Sequence, residues 1–238
     1  EPLTADDVKN ISQVRGRGKG IKSLQGLEQC RSLALIELSG NEISDLSPIR
    51  ELTVLQSVDF AKNKITDVKP LEGLTGLQYL ELTGNQIQDL APLAKLENMR
   101  SLYLSGNQIK KVDALTGLKK MWSLYLDGNP LESLAPLAEL TKLESLDLRG
   151  TGVSDLSALS GYTELDFLLL DGNKISDLSV LVDMAKKDFE GSKRFAPFVR
   201  VYLVGNPLSD AAKGAQVEQL KKFGCRIFLE LPKPPKAE

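Results

Sequence analysis

The sequence predicts an α/β solenoid: a right-handed curved coil with a parallel β-sheet on its concave face and 3-10 or extended segments on its convex side. Three observations predict it. Asparagines recur every 22 residues at Asn41, Asn63, Asn85, Asn107 and Asn129. The same step lands on Thr151 and Asn173, and Asn206 follows after 33, so one repeat carries an insertion of 11 residues. Each of these positions closes one apolar phrase and opens another, which is the signature of stacked units that cannot bury their apolar sides alone.

The first phrase is a strand. Apolar residues stand eight, five and three positions before each corner: Leu33, Ile36 and Leu38, then Leu77, Leu80 and Leu82, then Met121, Leu124 and Leu126, and finally Phe198, Val201 and Leu203. Residues two apart on an extended chain point the same way, so Ile36 with Leu38, or Leu80 with Leu82, face inward together. Roughly fourteen of the 22 residues remain to return the chain. That is too few for a long helix with two loops, so successive strands are parallel and joined by right-handed crossovers. The second phrase fills the return with Ile43, Asp45, Leu46 and Pro48, then Ile65, Asp67, Val68 and Pro70. The asparagine sits at the inward corner, where its amide can satisfy backbone groups of its own and the neighbouring turn. Loss of one to Ala strands buried polar groups at about 1–3 kcal/mol each. Thr151 has fewer donors, so its rung is expected to be locally weaker.

This phrasing resembles the leucine-rich repeats, specifically the 22-residue class of bacterial internalins and of eukaryotic phosphatase-regulating repeat proteins. The matching stretches are LALIELSGNEISDLSPI, LQYLELTGNQIQDLAPL and LESLDLRGTGVSDLSAL, and the likeness spans roughly residues 21–209. The segment AKKDFEGSKRFAPFVRVYLVGNPLSDAAK is similar to the terminal block of such proteins in environmental bacteria. The resemblance implies a non-enzymatic binding module that is secreted or attached to the cell envelope, with its partner on the concave face. It departs from the adhesin members in showing no immunoglobulin-like domain and no wall-anchor motif after the repeats. An intracellular regulatory scaffold, similar to the phosphatase-binding repeat proteins and cytoplasmic, is the alternative. Because the chain starts at Glu1 and not at Met, it is silent on export.

The ends need caps. Residues 1–30 read as a short helix and a degenerate first coil, with Thr4 and Asp7 as a capping box and Lys19 where an asparagine would stand. Repeats then occupy 31–209, with the insertion near 180–197. There Val180, Leu181, Met184 and Ala185 have helical spacing, and Asp188 to Pro197 reads as a loop. Residues 210–230 form a helix and strand, with Ser209 as N-cap, Gly224 as stop and Cys225, Ile227 and Leu229 alternating. The tail LPKPPKAE, residues 231–238, reads as disordered or as a linker.

Composition excludes more than it suggests. The 238 residues include no histidine, which removes Ser-His-Asp and Cys-His catalysis and the His-containing zinc sites. Thirty Lys and Arg against 32 Asp and Glu leave a charge of −2, which disfavours nucleic acid as a partner. No apolar run is long enough to cross a bilayer. Cys30 and Cys225 belong to opposite ends, about 40 Å apart at strand spacing, so both are expected to be buried free thiols. RGRGKGIKS fails the phosphate-loop spacing, because Ile21 stands where a glycine is required before Lys22 and Ser23. Asn10-Ile11-Ser12 is a chance sequon, and Lys186, Lys187, Lys193 and Arg194 are solvated surface. No cofactor and no metal are expected.

The functional signal lies on the outward strand positions, six, four and two residues before each corner. They hold Tyr79, Tyr103, Tyr125 and Tyr202, four of the five tyrosines, together with Phe167, while Trp122 lies one residue outside the set. They also hold Glu37, Asp59, Glu81, Asp127, Asp147 and Asp171 against Arg149 and Arg200, a net −4. Tyrosine favours strands in any case, but that preference does not cluster aromatics in adjacent rungs. Exposed aromatics on a rigid sheet supply contact area at little entropic cost. The expected partner is a protein or peptide with some basic character, bound by a monomer. The candidate contacts are Tyr79, Tyr103, Trp122, Tyr125, Asp127, Asp147, Arg149, Phe167, Asp171 and Tyr202.

Overall fold

A computed structural model describes residues 4–230. Ten strands of three residues form one parallel sheet whose spatial order is the chain order. They are β1 (Gln13–Arg15), β2 (Leu35–Glu37), β3 (Ser57–Asp59), β4 (Tyr79–Glu81) and β5 (Ser101–Tyr103). After these come β6 (Ser123–Tyr125), β7 (Ser145–Asp147), β8 (Phe167–Leu169), β9 (Arg200–Tyr202) and β10 (Arg226–Phe228). The returns between the early strands carry single 3-10 turns, such as Ser47–Ile49 and Ala91–Leu93. The α/β solenoid expected from the 22-residue step is the fold observed.

The inward residues of both phrases build one continuous core. Leu33, Ile36, Leu38, Ile43, Leu46 and Ile49 are buried, and their equivalents repeat this in every rung. Aspartates of the second phrase start the 3-10 turns: the Ser47 N–H donates to Asp45 Oδ1 at 2.8 Å and the Ala91 N–H to Asp89 Oδ1 at 2.8 Å. The amides that donate these bonds favour ionised carboxylates, which holds Asp45 below the usual aspartate value.

The corner asparagines bind rung to rung. Asn85 Nδ2 donates to its own Leu82 carbonyl at 2.9 Å and to Phe60 of the previous rung at 3.0 Å. Its Oδ1 accepts the Ile65 N–H at 3.0 Å. Asn63, Asn107 and Asn129 repeat the pattern with shifted partners. Before most corners the chain must turn through positive φ, and glycine supplies it, as at Gly84 (φ 69) and Gly106 (φ 61). Lys62 holds the same place with φ 54, a conformation that a side chain resists.

Thr151 breaks the ladder. Its hydroxyl donates to Leu148 O at 2.7 Å but makes no bond to Leu126 O. The Leu131 N–H, whose counterparts from Ile21 to Ile109 and at Val153 and Ile175 reach a corner amide, turns back to Asn129 O at 2.9 Å. The return-side ladder shifts one junction earlier: Gln108 donates to Ile87 O at 2.9 Å, Pro130 has no N–H to give Ile109, and Glu132 instead donates to Lys110 O at 2.9 Å. The missing corner bonds are therefore confined to the junction between the Asn129 and Thr151 rungs.

The insertion differs in part from the sequence expectation. Helix α2 spans Ser179–Glu190, running past Asp188, where a loop was expected to begin. (A four-residue α1, Ala5–Val8, precedes it near the start of the chain.) The buried Asp188 carboxylate then gathers the loop. It accepts the N–H groups of Arg194 at 3.0 Å, Phe195 at 3.0 Å and Ala196 at 2.8 Å, and the Ser192 hydroxyl at 2.9 Å. Phe195 and Ala196 become core. Phe198, expected inward, is instead 58% exposed, and Val199 takes the slot at 0%. The reason is local: Phe198 and Val199 both donate to Phe195 O, so the chain enters β9 one residue late.

The ends carry the expected local signals. The Thr4 N–H and hydroxyl both donate to Asp7. Ser209 Oγ accepts the Ala212 N–H at 3.1 Å, a widened turn follows over Ala212–Gln216, and α3 (Val217–Lys222) closes before Gly224 at φ 99. Cys30 and Cys225 are buried and free, and burial pushes the Cys225 thiol up to about 12. Residues 231–238 lie outside the described residues.

Two substitutions test this account. Thr151→Asn supplies the missing acceptor for Leu131 and donor for Leu126. It should raise unfolding free energy by about 1 kcal/mol and slow amide exchange over 150–154, which in the parent should exceed that around Asn107. Lys62→Gly should relieve about 1 kcal/mol of left-handed strain, measured as a higher denaturant midpoint.

Candidate functional site

Parallel pairing in register brings the outward positions into three columns across the sheet. Tyr79 pairs with Ser101, Tyr103 with Tyr125, and Tyr125 with Asp147. The tyrosines touch. Tyr79 and Tyr103 rings lie 5.4 Å apart at 45°, and Tyr103 and Tyr125 stack at 4.8 Å and 27°. Desolvation, helped by Glu81, pushes the Tyr79 phenol up to about 12, and desolvation raises Tyr103 too. Both phenols are therefore neutral hydrogen-bonding groups at neutral pH.

A second aromatic group lies beyond β7. Tyr202 stacks on Phe228 at 4.5 Å and 9°, and the Arg200 guanidinium lies 4.8 Å over the Phe167 ring. Trp122 is not brought into either group. It sits just before β6, 44% exposed, with the Arg100 guanidinium 4.8 Å over its ring.

A polar saddle separates the two groups. The Asp147 side chain is 0% exposed, because Arg149 closes over it with Nε at 2.9 and 3.0 Å and Nη2 at 2.5 Å from the carboxylate. Asp147 thus positions Arg149 and presents no surface of its own. Asp127 and Asp171 flank the guanidinium and remain half-exposed. Asp127 Oδ1 accepts the Ser105 hydroxyl, and Asp171 Oδ1 accepts the Val204 N–H at 2.7 Å.

Strands β1 and β10 add residues that the asparagine count missed. Arg15 lies 3.3 Å from Glu37, and Arg17 reaches Asp59 at 3.2 Å and Ser39 Oγ at 2.8 Å. Stepping back 22 from Glu37 and Ser39 finds both arginines, so the signal was present. Arg226 and Phe228 arrive with β10, in register with Arg200 and Tyr202. Counting Arg15, Arg17, Arg226 and Glu230 makes seven acids against five bases, and the −4 of eight rungs becomes −2 over ten. The acids of β2 and β3 are paired off, so the negative character collects around Glu81, Asp127 and Asp171.

The face is open. A hollow of 340 Å³ lies among Arg17, Asp59, Tyr79 and Glu81. A larger hollow, 760 Å³, lies on the return flank beside Lys110, Pro130 and Glu132, away from the aromatic groups. Among the described residues no group of three His, Cys, Asp or Glu is placed to hold a metal ion. No described helix is long and apolar enough to cross a membrane.

An open parallel sheet of short strands, cornered by asparagine and lined with side chains, defines a leucine-rich-repeat interaction module. The family "Leucine Rich repeats (2 copies)" matches residues 53–95, and "Leucine rich repeat" matches 89–131. No curated protein matches by sequence. Among solved structures, internalin C2 of Listeria monocytogenes is 28% identical with a TM-score of 0.67, over 96% of this chain and 84% of that one. In repeat pattern and fold the chain is similar to the internalin-like leucine-rich-repeat proteins. A leucine-rich-repeat protein of Leptospira interrogans shares the fold at 23% identity and TM-score 0.72, over 87% of this chain and 57% of that one. So does the ectodomain of an Arabidopsis thaliana membrane receptor kinase, solved with Casparian strip integrity factor 2. It is 20% identical with a TM-score of 0.71, over 94% of this chain and 27% of that one. The fold is that of a protein–protein interaction module, and proteins of this kind are typically not enzymes.

Asp147→Asn should lower unfolding free energy by about 1–2 kcal/mol, since a hydrogen-bonded buried charge is lost beneath Arg149. Asp127→Asn, on the half-exposed rim, should stay within about 0.5 kcal/mol. Urea denaturation of the two variants separates these roles.

Proposed function

We propose that the concave face binds a protein or peptide partner, with the contiguous Tyr79, Tyr103 and Tyr125 as its anchor. Phe167 and Tyr202 form a second contact, and Trp122 lies at the rim. Asp127 and Asp171 draw basic groups of the partner toward the saddle, while Asp147 fixes Arg149 as a guanidinium donor between them. The observation that carries this reading is the tyrosine row itself: three aromatic side chains in ring-to-ring contact, held part-exposed on a rigid sheet. Such rings lose few rotamers on binding, and each can contribute 2 kcal/mol or more, roughly thirtyfold in affinity. We propose that the protein works as a monomer, secreted or at the bacterial cell envelope, by its likeness to internalin C2.

Affinity capture from the source cells with the intact chain should recover a partner that Tyr103→Ala with Tyr125→Ala loses. Asp127→Lys should weaken the same association more at low salt than at high salt, since steering between exposed charges is screened. Undiminished capture by the double tyrosine variant defeats the assignment.

A further inference from the structure

We propose that the insertion docks on an anionic phospholipid bilayer, with Phe189 and Phe198 entering the interfacial layer and Lys186, Lys193 and Lys222 meeting the headgroups. This surface is separate from the concave face, and the inference does not depend on what that face binds.

The argument begins with apolar surface that the fold leaves uncovered. Phe189 is 41% exposed and Phe198 is exposed further still. The two are joined through their neighbours. The Phe189 ring lies 5.5 Å from that of Phe223, at the end of α3. Gly224 follows and packs on Pro197, since a Cβ there would stand 3.0 Å from Pro197 Cα. Pro197 leads directly into Phe198. Val182, Lys186 and Phe189 are spaced by four and three, so they share one flank of α2. An apolar strip therefore runs from that flank, past the end of α3, to the entry of β9. Single exposed apolar residues are ordinary, whereas contiguous ones mark an interaction surface.

The strip is held in place. The Asp188 carboxylate already gathers Ser192 and the amides of residues 194–196, which fixes the loop after α2. Within that loop the Lys193 N–H donates to Asp188 O at 2.9 Å, and Lys193 stands at φ 54. A side chain resists that left-handed conformation. It brings the Lys193 ammonium 5.3 Å over the Phe189 ring, so charge and apolar surface lie together.

The surroundings are basic in a protein that is not. From the start of α2 to Arg226 there are nine Lys and Arg against five Asp and Glu, a net +4, which leaves the other residues at −6. Arg194 pairs with Glu164 and Lys221 with Glu218. Lys186, Lys193 and Lys222 are exposed and make no ion pair among the described residues. Asp183 and Glu190, the exposed acids of α2, turn toward the adjacent flank.

These two properties select the occupant. Phenylalanine rings have no polar atom to satisfy, and unpaired ammoniums attract anions. An anionic bilayer offers both in one plane, an acyl boundary for the rings and phosphates for the lysines, whose long stems reach past the rings to the headgroups. The hollow beside α2, 230 Å³ among Tyr162, Met184 and Gly191, is lined by neither ring, which leaves both on open surface. Open surface suits a soft, planar partner better than a shaped one. The insertion lies on the return side between β8 and β9, and Phe198 precedes β9 at the strand end opposite the corners. Docking there keeps the aromatic columns open to a second partner.

The test is cosedimentation of the intact chain with phosphatidylcholine vesicles, with and without phosphatidylglycerol. The chain should bind only the vesicles that contain phosphatidylglycerol, and about 1 M salt, where the Debye length is about 3 Å, should release it. Phe189→Ala with Phe198→Ala should weaken binding roughly tenfold. Lys186→Gln with Lys193→Gln should weaken it roughly fivefold per lysine. All four side chains are exposed, so circular dichroism of both variants should match the parent. Equal binding to phosphatidylcholine alone, no binding to either vesicle, or binding unchanged in either variant overturns the proposal. A dimer that forms without vesicles and is lost in the phenylalanine variant also overturns it, and gives the strip to a second copy. Tyr103→Ala with Tyr125→Ala should bind the vesicles as the parent does. Loss of vesicle binding in that variant would move the lipid to the concave face and overturn this proposal, while absence of all vesicle binding leaves the tyrosine capture experiment untouched.

Discussion

The fold depends on one side chain repeated at one place. Strands of three residues make few sheet bonds, and rungs joined by these alone would slip. The corner amide prevents it by donating to carbonyls of two successive rungs and accepting an N–H of the earlier one. It satisfies buried backbone that no water can reach, and it does so only if the rungs stay in step. The 22-residue period is therefore the structural form of a hydrogen-bond requirement. Aligned outward columns follow from it, and with them the contact between Tyr103 and Tyr125.

How legible this was depended on whether local pattern or distant packing decided the outcome. The corners, inward leucines, aspartate-started turns and Ser209 cap are set within a few residues, and they could be read directly. The one-residue slip that exposes Phe198 could not. It arises because Asp188, eight residues before Ala196, collects three backbone amides and folds Phe195 into the core. Phe198 satisfied the apolar spacing, but the better-enclosed Val199 had the position. Arg15 and Arg17 were missed for another reason. Lys19 replaces the marker asparagine, so the rung was counted as a cap and its outward residues were not carried onto the sheet.

The candidate site shows the same division. Column membership follows from counting, and the aromatic clusters were visible in it. The fate of each charge was not, because it depends on side-chain reach. Arg149 and Asp147 share a strand direction and sit two residues apart, which allows the guanidinium to fold back and cover the carboxylate. An acid that looked available is thereby turned into the support of a base. Arg15 and Arg17 likewise pair with acids one and two strands away. The face is less acidic at its start than eight rungs implied, and the negative character moves toward its middle.

The ladder's defect lies beneath the boundary between the two aromatic groups. Pro130 and Thr151 follow β6 and β7, while the tyrosine stack ends on β6 and the second group begins on β8. The sheet itself stays continuous there: Leu126 donates to Asp147 O at 2.9 Å and Gly128 to Arg149 O at 2.8 Å. The weakness is confined to the corner side, where the Leu131 N–H turns back to its own rung and the Thr151 hydroxyl bonds only Leu148 O and Asn173. Sheet bonds and the buried leucines of both rungs keep the columns aligned across it. A ligand touching both Tyr125 and Phe167 spans this junction, and contacts on either side of it add to the bonds that hold the two rungs together.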